Sequence, residues 1–218
     1  MLYMYILAVA VAVAEAYTTG LRPPGTVRVR RSSVLPVPDS LPPRYDFRST
    51  LAGPAPVVRN QRGCGGCWAF ATAGVLEYLQ ANDSRTIEPV ALSVEQLIAC
   101  NRQGFSCATG GWWAFDDVRP PNGLVTERCL PYTATDRPCP PVLDACTPRV
   151  SVGEWDYVAG EDDPGTERLK AALLHFGPLV TAVSVGNAFY VYAGGVFTVD
   201  YRASVLDGRK RPSPVSVA

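Results

Sequence analysis

Two cysteines three positions apart stand where a glycine-rich loop gives way to apolar residues at helical spacing: Gln61-Arg-Gly-Cys64-Gly-Gly-Cys67-Trp68-Ala-Phe70. Trp68, Ala69, Phe70, Ala71, Val75, Leu76 and Leu79 carry that spacing onward and predict a helix from Cys67 to about Gln80. A cysteine in the first turn of a helix lies at the positive end of the macrodipole, where its thiolate form is favoured. Gln61, upstream, offers a side-chain amide to the same spot. Together they supply a nucleophile and a donor for a developing oxyanion. The stretch contains no base.

The remaining cysteines depend on the compartment. Leu2 to Ala14 is almost wholly apolar and is followed by Ala14-Glu15-Ala16, the small-residue spacing of a cleavage site, so residues 1–16 are predicted to be a secretory signal. The n-region lacks Lys or Arg, and a membrane anchor is the rival reading, but the run falls short of the ~20 residues a spanning helix needs. In an oxidising lumen the seven cysteines resolve into three bridges and one free thiol if Cys67 is the free one. One Cys-x-x-Cys and a single histidine fall short of a zinc pattern, so no metal and no cofactor is expected. A redox pair would require a strand before the motif, and Pro56-Val57-Val58 is a poor one. With zero net charge and no basic stripe carrying aromatics, nucleic acid is excluded as a partner. A hydrophobic content of 47% excludes disorder throughout.

Residues 17–40, rich in Pro, Arg, Ser and Val, read as a short leader. Its Arg28-Val29-Arg30-Arg31 cluster suits either a basic-specific processing protease or a solvated positive run. Tyr45 and Phe47 alternate as in an edge strand. Asn82-Asp83-Ser84 is a glycosylation sequon at Asn82, and Ser93-Val94-Glu95-Gln96 a capping box opening a second helix that ends near Cys100. A third short helix is predicted through Trp112, Trp113, Phe115 and Val118, stopped by Pro120-Pro121. From Cys129 to Cys146 the chain is a Cys- and Pro-rich bridged loop. Val150 to Val152 and Trp155 to Val158 read as strands, Thr166 to Phe176 as an amphipathic helix closed by Gly177-Pro178, and Leu179 to Val185, Phe189 to Tyr192 and Val196 to Val199 as strands. Past Asp200 the pattern dissolves into an irregular tail, residues 201–218, in which only Val205 and Leu206 are expected to be buried. The class is α+β: a helical, disulfide-rich lobe and then a β-rich one.

These residues resemble the papain-type cysteine peptidases. The likeness rests on Gln61, Cys64 to Phe70, Tyr45-Asp46-Phe47-Arg48, Gly110-Gly111 and Tyr192-Ala-Gly194-Gly195-Val196-Phe197. Cys129-Leu-Pro-Tyr132 and Cys139-Pro-Pro-Val-Leu-Asp-Ala-Cys146 are more similar to the cathepsin B-like branch. The resemblance covers about residues 41–200 and implies a papain-like two-lobe fold, peptide or protein substrates, protein inhibitors as partners, and a secreted, lysosomal or vacuolar location without a membrane span once the signal is removed. It implies Cys67 as nucleophile and the Gln61 amide with the Cys67 N–H as oxyanion donors, typically worth ~3 kcal/mol each. It further implies Gly110 and Gly111 aligning the substrate backbone, and Trp112 and Trp113 walling a specificity pocket, for which core packing is the plain alternative. It pairs Cys64 with Cys107, Cys100 with Cys139 and Cys129 with Cys146.

The departures from the family pattern are as informative. The family's base histidine follows the Gly-Gly-Val-Phe segment, yet here Gly194 to Phe197 leads into Thr-Val-Asp-Tyr-Arg. The one histidine, His175, lies on the 166–176 helix about 110° off its apolar face at ~100° per residue, which is no place for a base. A truncated domain with little or no turnover is therefore expected, either as a shortened product of a cysteine endopeptidase gene or as a non-catalytic pseudo-protease that binds peptides or inhibitors. Cys107-Ala-Thr-Gly110 carries one residue more than the usual spacing. The short loop after Tyr132 lacks the histidine pair of the exopeptidase device, so endopeptidase behaviour is inferred.

Overall fold

The computed structural model describes residues 36–82, 90–147, 149–158, 165–182, 192–194 and, as backbone, 215–217. The expected signal, most of the leader, the strand expected at 196–199 and all but Tyr192 of the one expected at 189–192 lie outside the described residues, as do residues 183–185 of the strand expected at 179–185, and Val205 and Leu206.

Helix α1 (Cys67–Asn82) is the axis of the molecule. It starts at the predicted residue and runs a little past the expected end. Trp68, Ala69, Phe70, Thr72, Ala73, Val75, Leu76, Glu77, Tyr78 and Ala81 are all buried. Such burial occupies nearly every face of the cylinder and makes α1 a core helix rather than a surface one. Helix α2 (Val94–Cys100) packs against it, inserting Leu97 and Ile98. Leu92, Phe115, Leu124 and Val118 close around the Trp68 and Leu76 side chains in the same cluster.

The start of α2 departs from a full capping box. Ser93 is the N-cap, its hydroxyl accepting from the Gln96 N–H at 3.0 Å, as the sequence predicts. The Gln96 side chain does not reach back. Instead it donates to the Gly123 carbonyl at 2.9 Å and accepts from the Val125 N–H at 2.8 Å. These bonds satisfy two buried backbone groups of the 123–125 segment, which outweighs the reciprocal cap.

Three further expectations change. Phe47–Thr50 is one turn of 3₁₀ helix capped by Asp46, not an edge strand. Asp46 accepts from the Arg48 backbone and guanidinium, and this local pairing competes with a ladder. The third helix shrinks to a 3₁₀ turn at Phe115–Val118, with Trp112 and Trp113 preceding it in irregular chain. Val150 to Val152 forms only an isolated antiparallel bridge, Leu124 to Val150. A third 3₁₀ turn, Pro141–Ala145, lies inside the loop bridged by Cys129 and Cys146.

Three disulfides join Cys64 to Cys107, Cys100 to Cys139 and Cys129 to Cys146, leaving Cys67 free. They close sequence separations of 43, 39 and 17 residues, each stabilising by about 3–4 kcal/mol in the chain-entropy account.

The β section is a small antiparallel sheet of β1 (Asp156–Tyr157), β2 (Val180–Thr181) and β3 (Val215–Val217), in the order β1-β3-β2. Asp156 faces Val217 across one seam, and Val180 faces Ser216 across the other. The tail expected to be irregular thus supplies the middle strand, because Val-Ser-Val is a short β-branched stretch that gives two strand edges a backbone partner. Helix α3 (Thr166–Phe176) keeps its predicted bounds and rests Ala172, with Leu169 and Phe176, against Val158 and Leu179. At its end Gly177 has φ +88° and lies so close to the Tyr78 ring that a Cβ would run into it, which fixes α3 against α1.

Candidate active site

The loop before α1 is held at four points. The Asn60 side chain accepts from the Arg62 N–H at 2.7 Å across a turn in which Arg62 takes φ +53°. The Gln61 Nε2 donates to the Cys64 carbonyl at 3.0 Å. Gly65 N–H donates to the Cys107 carbonyl at 2.9 Å beside the Cys64–Cys107 bridge. The Tyr132 hydroxyl donates to the Gln61 carbonyl at 2.7 Å. The Gly66 carbonyl then accepts the first bonds of the helix, from Ala69 at 2.9 Å and Phe70 at 3.1 Å. Cys67 is accordingly the first helical residue, with its thiol half-buried.

The electrostatics of that thiol are set locally. Burial pushes its pKa up, while the N–H groups of Trp68 and of Cys67 itself pull the other way and are the weaker influence. No imidazole contributes. His175 is exposed on α3, its ring edge-on to the neighbouring Phe176 at 4.5 Å.

The glycine pair lies against Trp68, the residue after Cys67. Gly110 takes φ +67°, which favours glycine. A Cβ on Gly111 would stand 2.7 Å from both Phe105 Cγ and Trp68 Cε2. The extra residue after Cys107 is absorbed in a turn closed by the Ser106–Gly110 bridge and by Ser106 Oγ, which accepts from the Thr109 N–H at 2.9 Å.

Trp112 and Trp113 are each 5% exposed and stacked, with centroids 4.3 Å apart. Trp112 Nε1 donates to the Tyr157 hydroxyl at 3.1 Å. Both rings are packed in the main core, so only a sliver of either is offered to a ligand. Asn82 is exposed at the last position of α1, while Ser84 of its sequon lies outside the described residues. Of the Tyr192 segment, residues 192–194 are described, and the Tyr192 side chain is exposed.

The contacts that build the loop beside the site were not read from the sequence. Glu95, fully buried, accepts from Thr133 N at 2.9 Å, Thr133 Oγ1 at 3.0 Å and Arg137 Nε at 2.6 Å. Glu77, also buried, accepts from Arg59 at 2.6 Å and the Leu92 N–H at 2.8 Å. For Glu77 the available signal was an acidic residue among the largely apolar residues of α1.

Comparison with known proteins bears on the family and the fold. The profile of the papain family cysteine proteases matches residues 41–208, extending past the boundary expected at Asp200. The chain is similar to zingipain-2 of Zingiber officinale, 32% identical over 162 residues that make up 73% of this chain and 69% of that protein. It is similar to cathepsin B-like CP1 of Giardia intestinalis, 28% identical over 82% of this chain and 62% of that one. Among solved structures, digestive procathepsin L2 of Tenebrio molitor superposes with TM-score 0.67 at 26% identity, covering 89% of this chain and 60% of that chain. The proform of the ragweed pollen allergen Amb a 11 gives 0.61 at 30%, covering 77% and 48%. This chain therefore spans about half to two thirds of the length of these four proteins. Its α+β architecture is the papain-like fold, and the chain belongs to the papain family of cysteine proteases.

Proposed function

We propose that the chain carries the nucleophile half of a cysteine endopeptidase site of the cathepsin B-like branch, acting on peptides or proteins in the endomembrane lumen or outside the cell. The observation that carries this reading is the free Cys67 thiol at the first turn of α1, entered by a loop in which the Gln61 amide is held on the Cys64 carbonyl, with every other cysteine bridged. The Cys67 sulfur attacks a peptide carbonyl carbon, and the carbonyl electron pair moves to oxygen. The Gln61 amide and the Cys67 N–H then stabilise that oxygen. Collapse expels the amine, which needs a proton, and leaves the acyl-enzyme.

Both proton steps call for an imidazole. Among these residues the only one is the exposed His175 on α3, and the Cys67 thiol is held protonated by burial. That observation favours a second reading for the 218 residues alone: a peptide- or inhibitor-binding cleft without turnover.

The secreted 218-residue chain, compared with Cys67→Ser, decides between them on a dipeptidyl fluorogenic substrate and a peptide aldehyde. The expected result is hydrolysis no faster than Cys67→Ser, together with Cys67-dependent aldehyde binding. Cys67-dependent hydrolysis would overturn the loss of turnover. Absence of aldehyde binding would overturn the half-site itself.

A further inference from the structure

The segment 131–137 touches the site loop at two places without containing a nucleophile, base or oxyanion donor. At one end the Tyr132 hydroxyl donates to the Gln61 main-chain carbonyl at 2.7 Å. The same hydroxyl lies beside Gly66, where an added Cβ would be 3.8 Å from it. At the other end Asp136 accepts from the N–H of Cys107 at 2.6 Å and of Ala108 at 3.3 Å, gripping the disulfide partner of Cys64 and the turn that absorbs the additional residue.

The segment is itself firmly seated. Glu95, with no exposed surface, accepts from Thr133 and Arg137, and Glu127 accepts from the Tyr132 N–H at 2.8 Å. The Tyr132 ring stands edge-on to Phe70 with centroids 4.9 Å apart, so its direction is fixed by packing on α1. Burial, helped by the negative charge of Glu95, pushes the Tyr132 pKa to about 12, which keeps the hydroxyl a donor throughout the neutral range. Gln61 is therefore held from both sides: its carbonyl by Tyr132 and its amide by the Cys64 carbonyl.

From this we infer that Tyr132 is a positioning residue of the oxyanion site, fixing the Gln61 backbone so that its side-chain amide is presented to the tetrahedral species formed at Cys67. This rests on the peptidase half-site proposed above. The tyrosine neither touches substrate nor moves a proton. It removes freedom from the residue that donates, and pre-organised donors are the ones that count in such a site.

The test uses the full chain and Tyr132→Phe, which keeps the ring on Phe70 and removes only the hydroxyl. Two reagents separate positioning from general damage. A peptide aldehyde adds to Cys67: the sulfur bonds to the carbonyl carbon, the π pair moves to oxygen, and the thiol proton ends on that oxygen. Iodoacetamide alkylates the same sulfur by displacing iodide and forms no oxyanion. Tyr132→Phe is expected to weaken aldehyde binding about fivefold, the equivalent of one net hydrogen bond, and to leave the alkylation rate within about twofold. Gln61→Ala should weaken the aldehyde as well, and adding Tyr132→Phe to it should cost little more. In parallel, the Gln61 carbonyl carbon resonance should move in Tyr132→Phe. Equal loss with both reagents, full additivity with Gln61→Ala, or an unmoved Gln61 carbonyl resonance would each overturn the inference. If the wild-type chain binds no aldehyde the peptidase reading falls, while the Gln61 resonance still decides whether Tyr132 holds that residue.

Discussion

Replacing Gly111 by alanine tests whether the glycine pair is demanded by packing beside Cys67. The added Cβ would stand 2.7 Å from Phe105 Cγ, 2.7 Å from Trp68 Cε2 and 2.8 Å from Phe105 Cβ, where ordinary contact begins at 3.4 Å. Something must yield by at least ~0.7 Å, and overpacking of that kind costs about 1–3 kcal/mol. Phe105 is only partly buried and can swing aside, which relieves two of the three contacts. Trp68 is fully buried at the second position of α1 and cannot. Restricting the unfolded chain returns about 0.4–1 kcal/mol, so the net loss is about 1–1.5 kcal/mol. Urea unfolding with the disulfides intact should show the midpoint fall by about 0.6 M with an unchanged slope. Because Trp68 follows Cys67 directly, the alkylation rate of Cys67 should change as well. Gly153→Ala is the control, since a Cβ there meets nothing within 4 Å. In a Phe105→Ala background the cost should shrink, as the phenylalanine contacts are gone. A loss below about 0.5 kcal/mol, or one matched by Gly153→Ala, would refute the reasoning.

Ser93→Ala removes both a cap and a buried donor, because the hydroxyl accepts from Gln96 N–H and donates to the Leu130 carbonyl at 2.7 Å. A stability loss of about 2–3 kcal/mol is expected in the same urea assay. The Cys67 thiol should alkylate with a pH midpoint above that of an ordinary cysteine, since burial raises its pKa. The linked stability follows in sign: the neutral thiol's contribution is present below the unfolded pKa of ~8.5 and is lost as pH rises through the folded value. Cys67→Ser should abolish that alkaline loss, which paired thermal scans of the two chains will show.

Elements whose signals are local were legible. Helix α1 announces itself by apolar residues on every turn, α2 by Ser93, and α3 by its face of Leu169, Ala172 and Phe176 with Gly177-Pro178 behind it. What could not be read is what distant chain decides. Gln96 looks like half of a capping box until the amide and carbonyl at 125 and 123 claim it. Tyr45 and Phe47 alternate, but Asp46 turns the backbone back on itself to hold Arg48. In the proposed site, Cys67 and Gln61 could be nominated from the sequence because the chemistry names them. Tyr132 was not, because a hydroxyl 71 positions from its acceptor has no signature until the chain is folded.

The placement of β3 bears on the order in which the molecule assembles. Helices α1 and α2 and the three bridges are complete by residue 146, through contacts within one stretch of sequence. The sheet is different: β1 at Asp156 and β2 at Thr181 find each other only through Val215–Val217, near the far end of the 218 residues. Closing loops of that length before any pairing rewards them is slow. Helix α1 and the bridged segments around it can thus stand formed while the sheet still waits for its middle strand.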